Sequence, residues 1–163
     1  MKNHIIKVLF FVCIVSLTIA CNTKKEEAAV ATVVIDKEQI KKEIQAREDE
    51  FAVVYNSGKI KDIGYYGEDA TVFHQNGLPL VGKDAIVAYL EEDIASNTNS
   101  ISFKTNEVFV SSDGVQVLEV GSYKVTDSVN APINTGNYMC YFEKRDGKYV
   151  CIREMSASDM PLE

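Results

Sequence analysis

The stretch ISFKTNEVFVSSDGVQVLEVGSYKVT, residues 101–126, decides the fold class. Apolar side chains alternate along 101–110 and again along 115–126, which is typical of β-strands, and Ser112-Asp113-Gly114 between them signals a turn. Residues 135–144 and 148–155 continue the alternation and predict a hairpin closed around Asp146-Gly147. Four long consecutive strands predict a mainly antiparallel sheet.

The residues before this sheet have helical spacing. Asp36 followed by Gln39 resembles a capping box, and Gly58 is a natural stop for the helix between them. Its apolar face is predicted to hold Ile40, Ile44, Arg47, Phe51, Val54 and Tyr55, with Glu48 off that face. Further along we predict a short helical stretch (60–66), a strand (70–75), an Asn76-Gly77 turn, a short strand (78–81) and a helix (83–94). Helices followed by strands indicate an α+β fold, in which a strongly curved sheet packs on the helices and leaves a concave internal cavity.

Composition excludes several classes of function. The chain has 163 residues, 24 acidic and 17 basic side chains and a net charge of −7, which suits one domain and argues against a nucleic-acid partner. Its four cysteines form no C-x-x-C pair, so no structural metal site is expected. Because the sequence contains no nucleotide loop or nucleophile elbow, we also expect no cofactor.

The amino-terminal residues have the pattern of an export signal. Lys2 and Lys7 precede a short apolar run, and Ala20-Cys21 ends it. This ending resembles the lipobox of bacterial lipoproteins, although Thr18 stands where leucine is usual, and the resemblance implies a lipid on Cys21. An ordinary secretory signal or a core helix are the alternatives.

These observations predict the organisation and location of the protein. We expect a signal peptide (1–20), a lipidated cysteine with a flexible tether (21–35) and a folded domain (36–163), anchored by the lipid in the bacterial envelope. Lys25-Glu26-Glu27 resembles a surface-export signal of some lipoproteins, and a solvated linker is the alternative. The domain would then lie on the periplasmic or the outer face of the outer membrane.

Residues 40–161 resemble the SnoaL-like, nuclear-transport-factor-like superfamily of cone-shaped, cystatin-like domains. The matching segments are Gly67-Glu68-Asp69-Ala70, Gly82-Lys83-Asp84-Ala85-Ile86, Glu119-Val120-Gly121-Ser122-Tyr123, Gly136-Asn137-Tyr138 and Asp146-Gly147-Lys148-Tyr149. Tyr149 stands where the family commonly has tryptophan. The resemblance implies the fold, and it implies either ligand binding or cofactor-free isomerase, cyclase or dehydratase chemistry on hydrophobic substrates. It also implies dimers formed through the sheet.

Two residues are candidates for acid–base chemistry. His74 ends the first strand and can act as a base near neutral pH, or it is simply exposed beside the Asn-Gly turn. Glu119 shares strand parity with Val117 and Tyr123. If that face is inward, burial would raise the pKa of Glu119 and suit it to proton transfer; if not, it faces solvent or pairs with a cross-strand cation.

Other residues are candidates for a ligand pocket. Tyr55, Tyr123, Tyr138 and Tyr149 offer apolar rings with one polar tip. Arg153 shares its predicted face with Tyr149 and would bind a ligand carboxylate, or pair with a neighbouring acid.

Cys140 and Cys151 fall on the two strands of the predicted hairpin. The simple register places them diagonally on one face. The distance between diagonal neighbours is long for a disulfide, so two buried thiols are the default expectation. Because the predicted compartment is oxidising, a disulfide between the two cysteines is the alternative.

Two functions are therefore open. The first is a module that binds a small apolar molecule, or an envelope partner, in the cone. The second is an isomerase, dehydratase or hydrolase that needs no cofactor and uses His74 or Glu119 inside the cavity. The motifs favour the first, because they are turn glycines and wall aromatics.

Overall fold

The computed structural model describes residues 34–161, apart from the side chain of Asp62. The predicted signal peptide, Cys21 and most of the tether lie outside the described residues. The elements are α1 (Lys37–Asn56), a short 3-10 helix (Ile60–Asp62), β1 (Tyr66–Phe73), β2 (Leu80–Val81), α2 (Lys83–Ser96), β3 (Ser100–Val110), β4 (Gln116–Thr126), β5 (Pro132–Arg145) and β6 (Lys148–Ser158). Within 34–161, neither α1 nor α2 combines the length and the apolar character that a membrane crossing requires.

The two helices pack on one open six-stranded sheet. Its strand order is β2-β1-β6-β5-β4-β3, and every neighbouring pair is antiparallel except β1 with β6, which is parallel. The core lies between the helices and the inner face of the sheet. The predicted α+β class, with helices on a mainly antiparallel sheet, is confirmed.

Helix α1 begins and ends where the sequence predicts. The Gln39 backbone N–H donates to Asp36 Oδ1 at 3.0 Å, and Gly58 takes a φ of +70° after the last turn. The position of Glu48 differs from the prediction, because its side chain is only 1% exposed. Glu48 follows Ile44 by four residues and so lies on the same buried stripe.

The predicted helical stretch 60–66 is wrong beyond its first turn. Only Ile60–Asp62 forms a 3-10 helix, and Tyr66 already begins β1. The cause is tertiary, because the Cys151 N–H donates to the carbonyl of Tyr65 at 2.9 Å and draws this segment into the sheet beside β6.

A β-bulge in the last hairpin reverses the predicted orientation of its end. Phe142 pairs with Cys151 as the simple register predicts, but Tyr141 pairs with Arg153, which leaves Ile152 as an extra residue. Cys151 and Ile152 are consequently both buried. Beyond the bulge Arg153 is exposed and Glu154 turns inward, which corrects the placement of Arg153 on the inner face.

Two glycines on the inner face make room for tyrosine rings on the neighbouring strand. Gly121 pairs with Tyr138, and a Cβ at Gly121 would lie 2.2 Å from Tyr138 Cζ. Gly136 pairs with Tyr123, and a Cβ there would lie 2.4 Å from Tyr123 Cζ. Both rings therefore lie across the strand over a glycine, and this places them in the cavity wall.

Candidate ligand cavity and buried carboxyl cluster

A cavity of about 360 Å³ lies inside the cone, lined by both helices and by every strand except β2. Seven of its lining side chains are aromatic: Phe51, Tyr55, Tyr66, Tyr89, Phe103, Tyr123 and Tyr138. The remaining ones are aliphatic or polar, and they include His74, Asp93, Glu154 and Ser156. Apolar walls with a few convergent polar groups are the usual composition of a small-molecule site.

The structure places four of the predicted site residues in this cavity wall. Tyr55, Tyr123, Tyr138 and His74 line it directly. Glu119 points inward and is fully buried, but it lies behind Tyr138, whose hydroxyl donates to Glu119 Oε1 at 2.9 Å. The two outward placements of Glu119 considered from the sequence, in solvent or paired with a cross-strand cation, are therefore wrong.

Two predicted pocket residues lie elsewhere. Tyr149 is buried outside the cavity, where its hydroxyl donates to the carbonyl of Gly114 at 2.6 Å. Lys144 Nζ lies 4.7 Å from the centre of the Tyr149 ring. Arg153 is exposed because of the bulge, and its Nη1 donates to the carbonyl of Asp69 at 3.0 Å. Neither side chain contacts the cavity, so both pocket predictions are corrected.

Three glutamates gather beneath the cavity, from α1, β4 and β6. Glu119 Oε1 accepts from Thr105 Oγ1 at 2.6 Å as well as from Tyr138. The Tyr65 hydroxyl donates to Glu48 Oε1, and the Tyr66 hydroxyl donates to Glu154 Oε2 at 2.7 Å. Each carboxyl group therefore has at least one hydroxyl donor, although all three lie in a largely apolar interior.

Burial raises the pKa of all three carboxyl groups. For Glu48 the pKa lies well above the ordinary value, first because of desolvation and then because of the charge of Glu119. Desolvation also raises the pKa of Glu119, and it raises the pKa of Glu154 to about 6.

The carboxyl groups of Glu48 and Glu119 lie close enough to influence each other's pKa. Their nearest carboxyl oxygens lie within 4.8 Å of each other, and Glu119 Oε2 is buried with no hydrogen-bond partner among the described residues. Two buried carboxylates this close repel each other, which disfavours the state in which both are charged. The hydroxyls of Thr105 and Tyr138 stabilise the charged form of Glu119, and desolvation opposes them and raises its pKa.

A small separate void lies beside this cluster. It has a volume of about 10 Å³, which is about the space of one water molecule. Glu48, Tyr65 and Cys140 line its inner side, and its other lining residues also border the cavity, namely Phe51, Phe103, Tyr138 and Glu154. Glu154 is thus the carboxyl group that meets both spaces.

His74 lies in a different part of the cavity wall, near solvent. Its ring stacks on Tyr89, with ring centres 5.1 Å apart, and Tyr89 is 42% exposed. A Cβ at Gly77 would lie 1.8 Å from His74 Nε2, so the glycine of the Asn-Gly turn is needed for this position of the imidazole. His74 Nδ1 is buried and has no hydrogen-bond partner in the described chain.

Three functional candidates were missed in the sequence. The only signal for Glu48 was its spacing of four residues from Ile44, and no local pattern announces the bulge that turns Glu154 inward. Asp93 lines the cavity and accepts a hydrogen bond from the Tyr55 hydroxyl. Asp93 follows Leu90 by three residues on α2, a spacing that places both on one helix face.

Cys140 and Cys151 are both buried and free. Their sulfur atoms and a Glu154 oxygen lie within 4.8 Å of one another, so two soft ligands and one carboxylate are brought together. Such a set is chemically suited to Zn²⁺, but desolvation raises the pKa of both thiols and so favours the protonated form that binds metal poorly. The sequence-based expectation of no metal site stays a prediction.

Comparison with known proteins identifies the architecture. No family model matches the sequence, and no curated protein matches it either. A domain of unknown function with a cystatin-like fold from Nostoc punctiforme superposes with a TM-score of 0.66 at 15% identity, covering 78% of this chain and 82% of that one. This chain has the cystatin-like fold.

Two further structures agree. An NTF2-like protein with a cystatin-like fold from Novosphingobium aromaticivorans has a TM-score of 0.66 at 14% identity, covering 77% of this chain and 85% of that one. An NTF2-like protein of unknown function from Shewanella oneidensis has a TM-score of 0.60 at 19% identity, covering 71% and 96%. The predicted cone fold is therefore confirmed, and at these identities the likeness concerns the fold alone.

Proposed function

We propose that this is a lipid-anchored protein of the bacterial envelope whose cone binds a small, largely apolar molecule. The observation that carries the proposal is the cavity of about 360 Å³ with seven aromatic side chains in its wall. Ligand pockets have volumes of roughly 300–1,000 Å³, so this cavity suits a small ligand. The basic, apolar start of the sequence and its Ala20-Cys21 ending support export and lipid attachment at Cys21.

Native mass spectrometry of the full-length chain, purified in detergent, tests ligand binding. Ser156 lines the cavity, whereas the next residue, Ala157, is exposed on the outer face of β6. Ser156→Phe should fill part of the cavity and abolish any retained small-molecule mass, and Ala157→Phe should keep it. An identical mass retained by Ser156→Phe would place the ligand outside the cavity and contradict the proposal.

A second function, a cofactor-free enzyme, is favoured by one specific observation. Glu154, whose pKa is raised to about 6, and His74 line the same cavity. Two titratable groups in a mostly apolar site are the arrangement that proton-transfer chemistry near neutral pH requires. Under this alternative, Glu154→Gln abolishes turnover of a ligand that the wild type converts. Under the binding function the bound compound is recovered unchanged from both proteins.

We also propose that two copies of the chain pair through the outer face of the sheet. Phe73, Met155, Met139 and Val120 lie side by side across four neighbouring strands. The exposures of Phe73, Met155 and Met139 are 37%, 58% and 44%, so this row forms an apolar surface. A continuous exposed apolar patch of this kind commonly marks an interface.

A further inference from the structure

The cavity wall carries acidic groups and lacks lysine and arginine among the described residues. Two carboxyl groups, those of Asp93 and Glu154, line it, whereas no lysine or arginine of the described chain does. Among residues 34–161 the imidazole of His74 is the only basic side chain in the wall. A ligand in this cavity therefore meets negative groups without a fixed positive counterpart.

The layer behind the wall adds acidic groups and, within the described part of the chain, no free cation. It holds the carboxyl groups of Glu48 and Glu119, both buried beneath the cavity. The one buried guanidinium of the described residues is that of Arg47 on α1, and it is already engaged by Glu50 and by the carbonyl of Gly64. Arg47 does not line the cavity.

We propose that the ligand is an organic cation, a small amine attached to an apolar body of aromatic type. This inference rests on the proposed binding function and names its ligand class. The Tyr66 hydroxyl occupies Glu154 Oε2, so Glu154 Oε1 can accept a charge-assisted hydrogen bond from an ammonium group. The aromatic wall surrounds the apolar body and offers rings to the cation.

The same charges disfavour the other ligand classes. A carboxylate or phosphate ligand would enter next to Asp93 and Glu154 with no arginine or lysine in the wall to pair with it, and like charges in a desolvated site are costly. A neutral ligand would fill the apolar part but would leave the carboxylate of Glu154 without a charged partner. The net charge of −7 over the chain also steers cations toward the protein.

Calorimetric titration of the full-length chain at pH 8 with three matched probes tests this proposal. The probes are 2-phenylethylamine (a cation), 2-phenylethanol (neutral) and 3-phenylpropionate (an anion). We expect the amine to bind about tenfold or more tightly than the alcohol, and the anion to bind most weakly. In Glu154→Gln the advantage of the amine should fall to within about threefold, with the affinity for the alcohol unchanged.

Two further variants make the result specific. Glu107→Gln removes the same charge from an exposed position of β3 outside the cavity and should leave the preference for the amine intact. Asp93→Asn provides a second cavity variant if Glu154→Gln does not fold by circular dichroism, and it should reduce the same preference.

The possible failures are distinguishable. Equal, saturable binding of amine and alcohol would overturn the inference about the cation and leave the binding function standing. Tighter binding of the anion would overturn it as well. If none of the probes binds while Ser156→Phe still removes a retained mass, the amine inference fails alone. If no probe binds and no mass is retained, the binding function fails too.

Discussion

Replacing Gly121 with alanine should strongly destabilise the protein, although the added group is a single methyl. The new Cβ would lie 2.2 Å from Tyr138 Cζ, 2.3 Å from its hydroxyl oxygen and 2.5 Å from Cε1. These distances are far below van der Waals contact, and the obstacle is the rigid ring of a residue that is only 3% exposed. The ring of Tyr138 must therefore move.

The magnitude follows from what Tyr138 contacts. Moving the ring breaks the 2.9 Å hydrogen bond to Glu119, and a hydrogen bond to a charged group contributes about 1.5–3 kcal/mol. Forcing one methyl group into a packed core costs about 1–3 kcal/mol more. We expect the free energy of unfolding to fall by about 3–5 kcal/mol, which is a large part of the usual stability of a domain.

Urea denaturation followed by circular dichroism measures this change, and the chain offers a matched control. Gly64→Ala adds the same methyl group where no atom beyond the two adjacent residues lies within 4 Å, so its unfolding free energy should stay within about 0.5 kcal/mol of the wild type. In a Tyr138→Ala background the ring is absent, and Gly121→Ala should then cost less than about 1 kcal/mol.

A loss below about 1 kcal/mol for Gly121→Ala in the otherwise unchanged chain would refute this reasoning. So would an equal loss with and without the ring of Tyr138, because the cost would then come from the backbone rather than from the contact.

Four further predictions concern separate features. Burial raises the pKa of Glu154 from 4.5 to about 6. The contribution of this carboxyl group to stability is therefore complete below about pH 4.5 and is lost as the pH rises through about 6. Urea denaturation at pH 4.5 and 7.5 should show that Glu154→Gln removes about 2 kcal/mol of this pH dependence. Cys140 and Cys151 should react with a thiol reagent only after unfolding, as peptide mass spectrometry would show, because both are fully buried. Cys21→Ser should abolish labelling by a palmitate analogue and release the chain from the membrane fraction. Met155→Glu should convert a dimer to a monomer in size-exclusion chromatography with light scattering.

Each of these predictions has its own contradicting result. An unchanged pH slope in Glu154→Gln would mean that this carboxyl group is not desolvated. A mass lower by about 2 Da for the peptides of Cys140 and Cys151 would reveal a disulfide instead of two thiols. Cys13→Ser should retain the lipid, and loss of the lipid in this variant would contradict attachment at Cys21. A dimer retained by Met155→Glu would contradict pairing through this face, and Val53→Glu, at an exposed position of α1 on the other side of the sheet, should leave the dimer intact.

Much of the architecture is local enough to be predicted from sequence. The Asp36 cap, the Asp146-Gly147 turn and the alternation along 101–126 each depend on neighbours in the chain, and the structure reproduces all three. The alternation also links Glu119 to Val117 on one face, and both are fully buried. The period of two therefore identified the side of β4 on which Glu119 lies, but not whether that side is inward.

The site itself depends on contacts between distant parts of the chain. The extra residue at Ile152 exposes Arg153 and buries Glu154, and no local pattern reveals it, because the pairing of β5 with β6 and of β1 with β6 decides where the bulge falls. Likewise the pKa of Glu48 is raised by desolvation and by the charge of Glu119, which comes from β4, far away in the chain.

The sequence by itself thus determined the class of fold, the order of its main elements and three of the tyrosines in the cavity wall. Only the tertiary structure decided which acids face that cavity and which of them have a raised pKa. The physical reason is that helical and strand periods are set by backbone geometry over a few residues. A raised carboxyl pKa, in contrast, depends on desolvation by groups that lie far apart in the chain.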